Sequence, residues 1–220
     1  MVRAADETPA EESAAAKLDD AWWRTAQMIG AGAPWNEAAD TLNDALLSAG
    51  NAKFSQRCRN ISVSIGLSQT ASPNAQRIAA TLSERSSTQD LITGLQETRV
   101  SFDLVLRPLL KYGIDRQLAW AYVADRIAGG RDSAAYLLYA RGREAIPELL
   151  DALEDQRATR SVADNRSRPM PLVMRVGDVS LALVEAISCC RFHIEPKRYE
   201  PRGHQTPLFS EWGDEKRRDQ

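Results

Sequence analysis

The sequence predicts a mainly α-helical protein, a multi-helix bundle containing a helix-turn-helix, with a small β element near the C-terminus. Three observations carry this reading. Apolar residues recur three and four apart through most of the first 150 positions, the period of one helix face. Glycine or proline stands where those stretches should start or stop. A β-branched, apolar run arrives only late, over residues 172–187. With 220 residues, 43% hydrophobic and 26% charged, the chain is long and apolar enough to bury a real core.

Residues 1–16, rich in Ala, Glu, Pro and Ser, read as a disordered leader. Residues 17–86 read as an N-terminal helical bundle. Its first helix carries Leu18, Trp22, Thr25 and Ile29 on one face and stops at Gly30 and Gly32. Pro34 suits a first helical turn. Trp35, Ala39, Leu42 and Leu46 then share a face until Gly50. Phe54, Cys58, Ile61 and Ile65 mark a third helix ending at Gly66. A loop follows over 67–73, and Ser72-Pro73 opens a further helix with Ile78 and Leu82. Trp22, Trp23 and Trp35 are expected as packing anchors, because aromatics at helical period are usually core.

The Ser-rich stretch 84–88 separates a second helical domain, residues 87–155. Ser87 and Asp90 have the spacing of a capping box. Leu91, Leu95, Phe102, Leu106 and Leu109 are expected on one long helical face, bent at Pro108. Residues 156–171 are polar, basic and end in two prolines, as a linker would. Residues 172–220 form a C-terminal segment with an extended tail. There Leu172–Val176 and Val179–Ile187 read as two strands turning at Gly177-Asp178. A helix over Val179–Cys190 is the competing reading.

The passage Asp115–Arg143 has the layout of a helix-turn-helix. Leu118, Tyr122, Val123 and Ile127 give a first helix its inner face, and Ala124 is small at the crossing. Ala128-Gly129-Gly130 supplies the turn. A second helix begins at Arg131, with Ala134, Leu137 and Leu138 inward and Arg131, Asp132, Ser133, Ala135 and Tyr136 exposed. Gly130, Arg131, Asp132, Ser133 and Tyr136 would enter a major groove, and Arg141 and Arg143 would meet the phosphate backbone. The same passage resembles the central DNA-binding domain of ParB-type partition proteins, including the RepB and KorB branches. The likeness rests on Val123-Ala124, Ile127-Ala128, Gly130-Arg131, Ser133-Ala134, Leu137-Leu138 and the following Ile146-Pro147-Glu148-Leu149. It departs in having Ala128 for the usual turn glycine and Gly130 for the usual serine. The family's N-terminal nucleotide-binding phrase is absent, so no nucleotide-driven clamp is implied.

With 28 Lys and Arg against 30 Asp and Glu, any duplex-binding face must be local. Over residues 107–168 the balance is 11 to 9, which permits such a face without demanding it. No apolar run approaches the roughly 20 residues of a membrane span. Cys58, Cys189 and Cys190 make no disulfide framework, which points to free thiols in a reducing cytoplasm. Cys189, Cys190, His193 and His204 lack the spacing of zinc ligand forks. No nucleophile elbow, phosphate loop or zinc-protease helix occurs, so neither catalysis nor a cofactor is expected. The resemblance implies a DNA-binding module with a dimerising C-terminal segment. The reading is thus a non-enzymatic helix-turn-helix protein that binds double-stranded DNA in plasmid or mobile-element partition, replication or transcription control, as a homodimer because one short recognition helix reads few base pairs. The alternative is a helical adaptor or small subunit of a larger protein or nucleoprotein assembly, in which the apolar faces with Trp22, Trp23 and Trp35 meet protein partners.

Overall fold

The computed structural model describes residues 9–50, 55–100, 127–128, 133–163 and 171–188, most of them helical. Helix α1 (Pro9–Ala31) buries Leu18, Trp22, Thr25, Ala26 and Ile29, the face the spacing predicts. It begins earlier than expected: residues 9–16, read as leader, are its opening turns. Gly32 turns the chain at φ +85, where a side chain would be strained. Helix α2 (Trp35–Ala49) then packs Trp35, Ala38, Ala39 and Leu42 inward and ends at Gly50. Trp22 and Trp35 are fully in the core and Trp23 is half-buried.

Helix α3 (Ser55–Ala79) corrects the expected break at Gly66 and loop over 67–73: it runs unbroken through both Gly66 and Pro73. The reason is a buried face that continues in small polar residues. Cys58, Ile61, Ile65, Ser68, Ser72, Ala75 and Ile78 follow one another at helical spacing, all buried. Ser68 donates its hydroxyl to the Ala158 carbonyl at 2.8 Å, which is why a serine is tolerated there. Pro73 leaves the Gln69 carbonyl without its helical donor, a local cost that tertiary packing outweighs. Pro73→Ala is therefore expected to stabilise the fold by about 1–2 kcal/mol, less than the full ~3 kcal/mol of an interior proline because proline also restricts the unfolded chain. A higher urea midpoint at unchanged slope is the check.

Ser87 caps helix α4 (Thr88–Gly94) as predicted, accepting from the Asp90 N–H at 3.1 Å and donating to its carboxylate at 2.7 Å. The long helix expected onward from Leu91 does not continue. A 3-10 turn over Leu95–Glu97 leads into strand β1 (Arg99–Val100). The departure lets buried Gln96 donate to the Ser68 carbonyl of α3 at 2.7 Å, a contact between segments that no local period encodes. Phe102, Leu106, Pro108 and Leu109 lie outside the described residues. Strand β1 pairs antiparallel with β2 (Ile127–Ala128).

Helices α5 (Ala134–Arg141) and α6 (Ile146–Asp151) follow, then strands β3 (Ala158–Ala163) and β4 (Leu172–Arg175), paired antiparallel, and helix α7 (Val176–Ser188). Two expectations are corrected here. The stretch 156–171, read as a basic linker, contains β3, whose Ala158, Thr159, Arg160 and Ser161 are all buried. Their polar groups are satisfied across the fold: Thr159 donates to the Met174 carbonyl and Ser161 to that of Thr98. The second apolar run, read as a strand, is helix α7. It is buried on nearly every side, which is why its sequence shows no polar stripe.

Two apolar clusters result. One joins α1, α2 and α3 with Ala158 and Val173; the other joins α4, α5, α6 and α7 with Met174. The β3–β4 pair supplies residues to both, and the Trp22 indole N–H donates to the Pro171 carbonyl at 2.7 Å.

Candidate functional site

The proposed recognition segment is only partly described. Leu118, Tyr122, Val123, Ala124, Gly130, Arg131 and Asp132 lie outside the described residues. Ile127 and Ala128, expected at the end of a first helix and in its turn, instead form strand β2. Helix α5 starts at Ala134 rather than Arg131, because Ser133 is its cap: the hydroxyl oxygen accepts from the Tyr136 N–H at 3.3 Å. Ala135, expected to be exposed, is fully buried, and Tyr136 is half-buried against the second cluster. Leu137 and Leu138 are buried as expected.

The two arginines assigned to the phosphate backbone have different fates. Arg141 reaches back to the turn before α4, donating to the Ser86 carbonyl at 2.6 Å, the Thr88 hydroxyl at 2.9 Å and the Glu84 carbonyl at 3.2 Å. A guanidinium so held clamps α5 onto the α3–α4 connection. Arg143 is exposed. Of the basic residues in the stretch read as a linker, Arg157 pairs with Asp155 at 2.6 Å and Arg160 is buried. Arg166 and Arg168 lie outside the described residues.

No protein-family model, curated protein or solved structure matches the chain. Its chemistry must be read from its own side chains.

The most concentrated polar arrangement lies where β3 crosses the α1–α2 connection. Arg160, 3% exposed, donates to Glu97 at 3.2 Å and to the Ala33 carbonyl at 2.7 Å. Its guanidinium carbon stands 3.9 Å from the centre of the Trp35 ring, a cation–π contact. The Trp35 indole N–H points back to Glu97 at 3.4 Å. Three distant segments are thereby locked by one cation. A second ion pair, Arg175 with Asp178 at 3.0 Å, stands at the start of α7, where the Asp178 carboxylate also accepts the Arg175 N–H. Sequence reasoning missed both. Glu97 and Arg160 are 63 positions apart, and nothing local marks either as buried.

Among the described residues, no three His, Cys, Asp or Glu side chains are placed to hold a metal, and no helix is long and apolar enough to cross a membrane. Cys189, Cys190, His193 and His204 lie outside the described residues.

Burial pushes Asp19 in α1 above its usual 3.8, and its Oδ1 has no hydrogen-bond partner among the described residues. The folded chain therefore holds this proton more tightly than the unfolded chain does. Its stability falls as pH rises through the interval just above 3.8. Asp19→Asn, which cannot ionise, is expected to melt above wild type at pH 7 and to lose that advantage near pH 3.5. Thermal unfolding at the two values checks it.

The outer surface of the α2–α3 hairpin is the other feature of note. Helix α3 carries no charged residue from Asn60 to Gln76 and no Asp or Glu at all. Val63 and Leu67, one turn apart on its solvent side, are 57% and 45% exposed. On the neighbouring α2, Leu47 is 85% exposed.

Proposed function

We propose that this chain is a non-catalytic helical adaptor, a subunit that joins an assembly of proteins through the outer face of α3. The observation that carries the reading is the uncharged, partly apolar row on that face. A helix turned to water in a chain that is 26% charged normally displays charges along its outer side. Depletion of charge around exposed aliphatic residues is instead the composition of an interface core. A DNA-binding role draws less support from the described side chains. Arg141, Arg157, Arg160 and Arg175 are each engaged by internal acceptors, while duplex affinity needs cations free to neutralise phosphate. At the recognition segment itself that role would rest on Arg131 and Arg143.

The test is a photo-reactive amino acid placed at Leu67 in cells, with Glu144, an exposed position elsewhere, as control. Discrete protein adducts are expected from position 67, absent from position 144 and abolished by Val63→Glu. No adduct at position 67, together with tight, salt-sensitive DNA binding that Arg143→Ala weakens, would overturn the reading in favour of a DNA-binding one.

A further inference from the structure

We infer that the α2–α3 face is built to receive a second copy of the same chain. The inference rests on reading this face as an interface and adds its occupant. Two independent features converge on it.

The first is the uncharged centre. Arg59, Val63, Gly66, Thr70, Asn74 and Arg77 follow at four- and three-residue steps along the outside of α3, with Leu67 beside them. Among the described residues, nothing lies within 4 Å of where a Cβ on Gly66 would stand, so another backbone can come close there. Val63 and Leu67 offer aliphatic knobs on either side of that gap.

The second is the way charge is divided. Helix α2 carries Glu37, Asp40 and Asp44 and no Lys or Arg. Helix α3 carries arginines and no carboxylate. Glu37, Asp40, Asp44, Arg59 and Arg77 are all exposed, and none is ion-paired among the described residues. The helices are neighbours, tied by the Ser62 hydroxyl donating to Asn43. One face thus presents an acidic row beside a basic-ended row, and a copy of itself is the surface that offers the opposite order.

The geometry allows both features to be used at once. Two α3 helices crossing at their midpoints at the common ridge-in-groove angle of about 50° set Val63 and Leu67 of each copy against those of the other. Half of α3 is about 19 Å long at 1.5 Å per residue. At that angle its end moves sideways by about 14 Å, more than the 8–10 Å between packed helices. One end of each α3 therefore crosses the other copy's α2, where arginine meets carboxylate. The contact is two-fold and self-closing, as homodimer interfaces are.

Sedimentation equilibrium of the full chain from 1 to 100 μM tests this. A monomer–dimer equilibrium is expected, weakened by 0.5 M salt through its charged part. Leu67→Glu should weaken association at least tenfold while leaving the helical circular dichroism unchanged. Two charge variants sharpen the test: Glu37→Lys/Asp40→Lys/Asp44→Lys, and Arg59→Glu/Arg77→Glu. Each should self-associate at least tenfold less than wild type, and an equimolar mixture of the two should form a heterodimer that Leu67→Glu abolishes. A chain that stays monomeric at 100 μM overturns the inference, as does a dimer indifferent to Leu67→Glu. A monomer whose position 67 still cross-links to a different protein would sink the second copy and keep the adaptor. A dimer through α3 with no adduct to another protein would do the reverse.

Discussion

Arg160→Ala is expected to cost about 3–5 kcal/mol, a large part of the 5–15 kcal/mol that holds a typical domain together. The cost does not come from losing a surface ion pair, which is worth little. Arg160 is 3% exposed and Glu97 17% exposed, so deleting the cation leaves a nearly buried carboxylate with no counter-charge. It also strips the Ala33 carbonyl of its donor and the Trp35 ring of the cation stacked on it. Arg160→Lys should lie between the two, because an ammonium keeps the charge but lacks the planar fork that serves Glu97 and Ala33 together. In a cycle with Glu97→Ala, the coupling measured by urea unfolding should be 1–3 kcal/mol. A loss below about 1 kcal/mol for Arg160→Ala would mean that these segments are held by their apolar contacts alone.

That junction also shows where sequence reasoning stops. The helical faces of α1 and α2 were legible because they obey a local rule: Leu18, Trp22, Thr25 and Ile29 recur at the helix period, and all are buried. The cap at Ser87 was legible for the same reason, since donor and acceptor sit three residues apart. β3 breaks the rule in both directions. Its residues show no apolar–polar alternation, since Ala158, Thr159, Arg160 and Ser161 are all buried, and the partners of the three polar ones stand 15 to 127 positions away. Polarity there marks hydrogen bonds made inside the protein and not exposure to water. α3 misleads in a related way. Gly66 and Pro73 are breakers by propensity, a weak prior that a continuous buried face overrides.

The expected recognition helix was legible in part. Ala134, Leu137 and Leu138 face inward as the spacing requires. Its start was misplaced by three residues because Ser133, taken as a contact to nucleic acid, is the cap residue. A serine just before an apolar periodic run has both readings, and the local hydrogen bond is the cheaper one to make. Arg141 was misassigned for a different reason: its acceptors belong to the turn over 84–88, more than 50 positions upstream. The uncharged face of α3 was available all along as a gap in the charge pattern from Asn60 to Gln76. Gly66 and Pro73 obscure it, because by propensity they divide the stretch between a helix and a loop.

Gly177→Ala is the substitution for which helix propensity and tertiary structure predict opposite signs. Gly177 lies in the first turn of α7, where alanine is ordinarily better than glycine by about 1 kcal/mol. Here an added Cβ would stand 2.3 Å from the Leu153 carbonyl oxygen and 2.9 Å from its carbon. Backbone cannot rotate aside as a side chain would, so the turn over Ala152–Glu154 and the start of α7 must separate. That separation strains the Gly177 N–H donating to the Asp155 carbonyl at 3.1 Å and the Val176 N–H donating to the Arg157 carbonyl at 2.8 Å. It also disturbs Asp178, whose carboxylate holds both the N–H and the guanidinium of Arg175. A net loss of about 2–3 kcal/mol is expected, in the range of an overpacked core and large enough to outweigh the propensity gain. Urea unfolding measures it. A neutral or stabilising Gly177→Ala would mean that propensity governs this turn, and that α7 stands farther from Leu153 than the close approach described.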